Sequence, residues 1–300
     1  MTDRYRPYRP TTLRGRAFRS LVNVAARASG LAHRVDQGWP RFEGGPRGDA
    51  PPIVLVHGFG VDGTTMLQLG RLLVRKHRVI VPDLPGFGLH GTATTPSGIE
   101  SYLAAMDDLI ERLGLGRPIL VGSSMGGAIV ANFAATRPAV PSGIGLIGPA
   151  GIEPPIESEV FAAAKRDEHL LRIHDLESFE RIYALNFTKP PWMPRFLKRV
   201  VAAEARPRSE EHESILRSLE EIMLSGPERY RTITCPVEIV WGGDDRIIDP
   251  SAMELWTSVL PEAGTTIVED AGHSTMVERP REVAEVVERL AARVEAHAGG

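Results

Sequence analysis

The chain is poor in cysteine, in lysine and in long apolar runs, and each shortage removes a class of explanation. One cysteine, Cys235, in 300 residues excludes an internal disulfide framework and gives no reason to expect an oxidising compartment. No apolar stretch approaches the roughly 18–20 residues that span a bilayer, so no transmembrane helix is expected. A formal net charge of -3, from 35 basic and 38 acidic residues, lacks the basic excess that nucleic-acid binding demands. The nine histidines are scattered without cysteine or acidic partners at ligand spacing, so no metal site is expected. Lysine occurs four times against 31 arginines, a bias that weakens any argument from arginine alone. What remains is a globular chain, 42% hydrophobic, with enough length for a sizeable core. The expected location is the cytoplasm, at most peripheral to a membrane.

Residues 1–34 are the compositional exception, with eight arginines and a single acid, Asp3. Leu13, Ala17, Leu21, Val24 and Ala28 form a helical stripe, with Arg14, Arg16, Arg19 and Arg27 largely elsewhere, so this segment is expected to be helical. Three roles stay open: a surface helix packed on the body or fraying as a tail, an interfacial helix on anionic lipid, and a cleavable organellar transit peptide. A secretory signal is disfavoured, because Arg27 interrupts the apolar run too early.

From residue 51 short apolar runs alternate with helical patterns. Strands are expected at Ile53–Val56, Arg78–Val81, Pro118–Val121, Gly143–Ile147, Val237–Trp241 and Thr265–Val268. Helices are expected at Thr64 to about His77, Ser97–Leu113, from Gly126, and Glu282 to about Val294. Unbroken apolar strands separated by helices indicate an α/β fold, a mostly parallel sheet covered by helices on both faces. Residues 152–230 break the alternation with charged helical patterns around Lys189-Pro190-Pro191-Trp192-Met193-Pro194. The expected organisation is a core of 35–151 and 231–300 with a helical cap at 152–230. Both cap ends leave the sheet rim where open α/β folds bind ligands, which favours a lid over an independent helical domain.

Gly122-Ser123-Ser124-Met125-Gly126 falls between such a strand and a helix of small residues. A G-x-S-x-G pentapeptide in that context is a nucleophile elbow, its glycines needed for steric reasons and its serine hydroxyl lifted clear of the backbone. A serine hydroxyl needs a base, and the base an orienting acid. In this topology the order along the chain is Ser, acid, His. Trp241-Gly242-Gly243-Asp244-Asp245-Arg246 and Asp270-Ala271-Gly272-His273-Ser274 each follow a strand, which brings an acid and His273 to the same sheet edge as Ser124. Asp245 is the preferred acid, since Gly242-Gly243 must first turn the loop away; Asp244 and Asp249 are the alternatives. Two backbone donors must face the oxyanion: the N–H of Met125, and one from His57-Gly58-Phe59-Gly60, with Phe59 first and Gly60 second. His57, Gly58 and Gly60 belong to the same substrate-side loop, His57 reading as a pin more than a second base. Pro85-Gly86-Phe87-Gly88 reads as a structural turn with Phe87 in reach of the cavity, and Cys235 as unreactive. Trp192, Met193 and Phe196 either line an acyl channel or serve the packing of an amphipathic cap.

Together, these motifs, with Gly148-Pro149-Ala150-Gly151 and the run Gly272 to Pro280, resemble the α/β-hydrolase superfamily over about residues 35–296. The likeness is greatest to the bacterial lipase and monoacylglycerol-lipase branch with a short helical cap. The resemblance implies a cap inserted after the sixth strand. It also implies Ser124, Asp245 and His273 as a triad, Phe59 and Met125 as oxyanion donors, no cofactor, and a carboxylic ester substrate with a lipid-like acyl part. Leu89-His90-Gly91-Thr92 departs from the pattern, since many relatives carry a serine there. Hydrolysis of a carbon–carbon bond in a ring-cleavage diketone is the alternative reaction. Against it stand Ser274 after the histidine, where an aromatic is usual, and the loop at His57. Serine at position 124 disfavours epoxide hydrolases and haloalkane dehalogenases, whose nucleophile is a carboxylate. A perhydrolase side activity stays open. A binding protein without catalysis would usually have lost a triad member.

Overall fold

The computed structural model describes residues 5–7, 13–92, 98–166, 168, 170–205 and 209–298. The expected helix start at Ser97, His169 and parts of the basic segment and cap lie outside them. The strands are β1 (Tyr5–Pro7), β2 (Leu31–Asp36), β3 (Trp39–Gly44), β4 (Ile53–Val56), β5 (Val79–Pro82), β6 (His90–Thr92), β7 (Ile119–Ser123), β8 (Gly143–Ile147), β9 (Val237–Gly242) and β10 (Gly264–Val268). Eight of them form one sheet in the order β10-β9-β8-β7-β4-β5-β3-β2, while β1 and β6 make a separate antiparallel ribbon. From β10 to β5 the sheet is parallel; β3 pairs antiparallel with both β5 and β2.

The apolar runs are continuous because both sheet faces are covered. In β4, Val54 and Val56 join a core layer with Leu103 and Met106 of α3 (Ile99–Leu113) and Ile129 and Phe133 of α4 (Met125–Thr136). Ile53 and Leu55 point the other way, toward Leu69 and Leu73 of α2 (Leu67–Leu73) and Val287 and Leu290 of α11 (Pro280–Ala298). Each such side chain, fully buried, contributes about 1.5–3 kcal/mol. Residues between β8, the sixth strand of the large sheet in chain order, and β9 form α5 (Glu159–Ala164), α6 (Leu176–Asn186), α7 (Arg195–Ala205) and α8 (Ser209–Leu224). Short helices α9 (Ala252–Val259) and α10 (Thr275–Glu278) follow β9 and β10.

Two expectations need correction at the N-terminal side. The segment 1–34 is not simply helical: it contains β1, α1 (Leu13–Ala28) and the start of β2, so a boundary at residue 35 would cut a strand of the sheet. The β2–β3 hairpin escapes a search for apolar runs because Arg41 and Glu43 are buried inside β3. They are tolerated there as an ion pair (3.1 Å), which Arg78 extends at 2.9 Å. Burial opposes the Glu43 charge, but the hydrogen bond from Arg78 and the charges of Arg41 and Arg78 hold its carboxyl below its ordinary range.

Of the roles left open for the apolar stripe, packing on the body is not the one it takes. Ala17, Leu21, Val24 and Ala28 are exposed, with Leu21 and Val24 each 67% accessible. The packing face of α1 is Gly15, Arg19, Val22 and Ala26, which recurs at the same helical spacing. Arg19 fixes this choice through an ion pair with Asp62 at 2.7 Å.

Candidate active site

A single residue separates β7 from α4, and that residue is Ser124. Its backbone sits at φ 54° and ψ -118°, a conformation that costs a non-glycine residue about 1–3 kcal/mol. The strain is held in place from three directions. Ser124 N–H donates to Ile147 O, and Ser124 O accepts from the Ala128 and Ala150 amides, each at 3.0 Å. A Cβ on Gly126 would stand 2.6 Å from His57 O, and one on Gly122 2.7 Å from Gly127 N, so only glycine fits these flanks. Met125 opens α4, where the first-turn amides have no partner within the helix and the macrodipole favours negative charge.

β8, β9 and β10 run parallel to β7, so their C-terminal ends reach the same rim. The loop after β9 carries Asp245 and the loop after β10 carries His273; both side chains are buried. His273 Nδ1 lies 2.7 Å from Asp245 Oδ2. A carboxylate only accepts, so Nδ1 carries the proton and Nε2 is left as an acceptor. Asp245 is itself immobilised. Its Oδ1 accepts from the Ile247 and Ile248 amides (2.9 and 3.0 Å), and its Oδ2 also accepts from Trp241 Nε1 (3.1 Å). The competing acids are occupied elsewhere: exposed Asp244 accepts from Thr188 Oγ1 at 3.1 Å, and Asp249 from the Ser251 amide at 2.9 Å before α9. Met276, three residues past the histidine, brings its sulfur to 3.9 Å from Ser123 Oγ, packing this loop against the elbow. Among the described residues Ser124 Oγ makes no hydrogen bond to the imidazole; such contacts often tighten only when substrate binds.

The third wall is the loop after β4. A Cβ on Gly58 would lie 3.3 Å from Ser124 Cβ, so this loop passes directly beside the serine. His57 does not face a substrate: it is fully buried, its Nδ1 donates to Gly58 O (2.8 Å) and its Nε2 accepts from the Leu84 amide (3.0 Å). Burial lowers its pKa, keeping the ring neutral. Asp62 caps the turn beyond Gly60 by accepting from the Thr64 amide at 2.9 Å. Asp83 receives the Gly63 and Leu89 amides at 3.0 and 2.7 Å. Burial and the neighbouring Asp62 charge push the Asp83 carboxyl up to about 7.

The inserted helices contribute differently from expectation. Trp192 is 88% and Phe196 64% exposed, so these two stand in solvent and line no channel, while Met193 is half-buried. The ring that meets the site is His212 of α8, stacked on Phe87 (5.0 Å) and edge-on to Phe59 (5.2 Å). Beside Met125 a narrow apolar crevice runs between α3, α4 and α8, lined by Ile99, Tyr102, Ile129, Ile215, Leu219 and Ile222. Sequence reasoning missed this crevice, because its lining alternates between ordinary core positions of three helices. It also missed Trp241 as a donor to the acid, although the four-residue offset from Asp245 was visible.

Comparison with known proteins converges on this architecture. The alpha/beta hydrolase family model matches residues 53–286. Lipase 1 of Psychrobacter immobilis is 32% identical over 240 residues, which cover 78% of this chain and 74% of that protein. Monoacylglycerol lipase abhd6-B of Xenopus laevis is 28% identical over 258 residues, 81% of this chain and 76% of that one. A solved structure described as a membrane phospholipase A and novel bacterial virulence factor superposes with a TM-score of 0.86 at 30% identity, covering 94% of this chain and 91% of the other. The matched span runs from β4 into α11 and encloses the elbow, the Asp245 loop and the His273 loop. By sheet order, strained serine turn and family match alike, the chain belongs to the alpha/beta hydrolase family.

Proposed function

We propose that the chain hydrolyses carboxylic esters with a lipid-like acyl part, such as monoacylglycerols, through an acyl-enzyme on Ser124. The observation that carries this reading is the buried 2.7 Å contact between Asp245 and His273 at the rim that presents the strained Ser124. His273 Nε2 takes the Ser124 proton as Oγ attacks the ester carbonyl, and the imidazolium is held by Asp245. The amides of Met125 and Phe59 receive the oxyanion. His273 then protonates the departing alcohol, and water repeats the sequence to release the acid. Similarity to lipases and a monoacylglycerol lipase supports an ester over a ring-cleavage diketone. A panel of p-nitrophenyl esters from acetyl to palmitoyl, with monoacylglycerols and a ring-cleavage diketone, tests the reading. Turnover of the esters with a burst of p-nitrophenol is expected; preference for the diketone would reverse it.

No helix among the described residues is long and apolar enough to cross a membrane. Peripheral contact has a better candidate in the outward stripe of α1. Leu21 and Val24 stand in solvent beside exposed Arg16 and Arg27, and α1 packs on α7, whose start carries exposed Phe196 with Arg195 and Arg199. Apolar side chains flanked by arginine suit the headgroup region of an anionic bilayer, each basic residue adding about 1 kcal/mol. Leu21→Glu with Val24→Glu is expected to weaken sedimentation with phosphatidylglycerol vesicles at least about tenfold, while hydrolysis of p-nitrophenyl acetate changes less than twofold. Unchanged vesicle binding would remove α1 from the lipid contact.

A further inference from the structure

The segment that follows α6 is bound to both loops that carry the buried acid–histidine pair. On the histidine side, Asn186 O accepts from the Ser274 amide at 2.9 Å, and Asn186 Oδ1 accepts from Ser274 Oγ at 3.2 Å. The Glu278 carboxylate completes the junction. Its Oε2 accepts from the Gly272 amide (2.7 Å) and the Thr188 amide (3.3 Å), and its Oε1 from the Lys189 amide (2.8 Å). On the acid side, Thr188 Oγ1 donates to Asp244 and Arg246 donates to Ala184 O. The fit is close: a Cβ on Gly272 would lie 3.0 Å from both Asn186 O and Thr188 N. One carboxylate thus closes the loop from Gly272 to Glu278 around His273 and seats residues 186–189 against it.

We propose that Glu278 is a positioning residue for His273, and that residues 186–189 are a fixed strut of the active site, not part of a lid that lifts away. The proposal rests on the hydrolase reading above. Hydrogen bonds to an ionised acceptor are about twice as strong as neutral ones, and three of them converge here from two chain segments. Among the described residues the side chain of His273 is hydrogen-bonded through Nδ1, so aiming its Nε2 at Ser124 requires that its loop not shift. A neutral amide cannot replace the carboxylate, because one of its two ends is a donor and would face another N–H.

The test compares wild type with Glu278→Gln and Glu278→Ala on p-nitrophenyl butyrate, well below the melting temperature of each. A loop misplaced by about 1 Å costs up to about 100-fold in rate. The expected result is a kcat lowered at least about tenfold in both variants with KM within about twofold, and a matching fall in the rate of Ser124 labelling by a fluorophosphonate. A purely structural role would lower the melting temperature and leave kcat intact. Folded variants with wild-type kcat would overturn the proposal. If neither variant melts cooperatively, hydrogen exchange on the wild-type chain decides. The Gly272 and Lys189 amides are expected to exchange as slowly as the sheet amide of Val240, and fast exchange at both would overturn the clamp. An inactive wild type would instead remove the hydrolase reading, and the exchange measurement would still report on the clamp.

Discussion

Ser124→Ala is expected to abolish ester hydrolysis and fluorophosphonate labelling while leaving the fold intact. The loss in kcat should be on the order of 10⁶-fold, the scale set when a serine nucleophile is removed from a complete triad. The reason lies in the turn itself. Ser124 holds a left-handed backbone at φ 54°, pinned by Ile147, Ala128 and Ala150, so the hydroxyl is deleted without the turn moving. The same strain yields a second measurable consequence. Ser124→Gly relieves a conformation that costs about 1–3 kcal/mol, offset in part by the flexibility glycine adds to the unfolded chain. The glycine variant should therefore unfold at a higher denaturant concentration than the alanine variant, with both equally inactive. A Ser124→Ala protein that keeps its activity would place the chemistry elsewhere. A glycine variant less stable than the alanine one would mean that the turn stores no strain.

Asp245→Asn should lower kcat on the order of 10⁴-fold, the scale of the corresponding change in other triads. All four groups around this carboxylate are donors: the Ile247 and Ile248 amides, Trp241 Nε1 and His273 Nδ1. An asparagine has one acceptor end only. With its oxygen left on the two backbone amides, its NH₂ faces the imidazole, forces Nδ1 to lose its proton and moves that proton to Nε2. The histidine then cannot accept from Ser124. The second N–H of that NH₂ points at the indole N–H, which keeps Ile248 O as its acceptor at 3.0 Å. The amide N–H is the buried donor left without a partner, at a cost of about 1–3 kcal/mol, so melting should fall as well. Asp249→Asn is the control, because Asp249 only accepts the Ser251 amide ahead of α9, and asparagine caps equally well. Steady-state kinetics on both variants, with thermal melts, separates lost tautomer control from lost stability. Equal activities in the two would remove Asp245 from the acid's role.

These contrasts divide what can be read along the chain from what cannot. β4, β7, β8 and β9 were legible because strands buried on both faces need unbroken apolar residues, and the elbow was legible because a turn that tight admits only glycine at its flanks. β2 and β3 were not, since Arg41 and Glu43 are made tolerable by each other and by Arg78, 35 residues beyond Glu43. The helix of residues 13–28 was visible by its period, but its orientation was not. It carries two faces at the same spacing, and the one that packs is chosen by Asp62, 43 residues beyond Arg19.

Taken alone, the amino-acid sequence determined the alternation of strands and helices in the parallel core from residue 53 on, the serine at the tight turn, and the acid and histidine loops that follow later strands. Those features depend on sterics and periodicity within a few residues. Only the tertiary structure decided which acid meets the imidazole, that His57 is spent on its own loop, that Trp192 stands in water, and that Glu278 accepts from the amides of Gly272, Thr188 and Lys189. Each of those outcomes is a partnership between groups distant in sequence, and a hydrogen bond or a buried face exists only once both partners are in place.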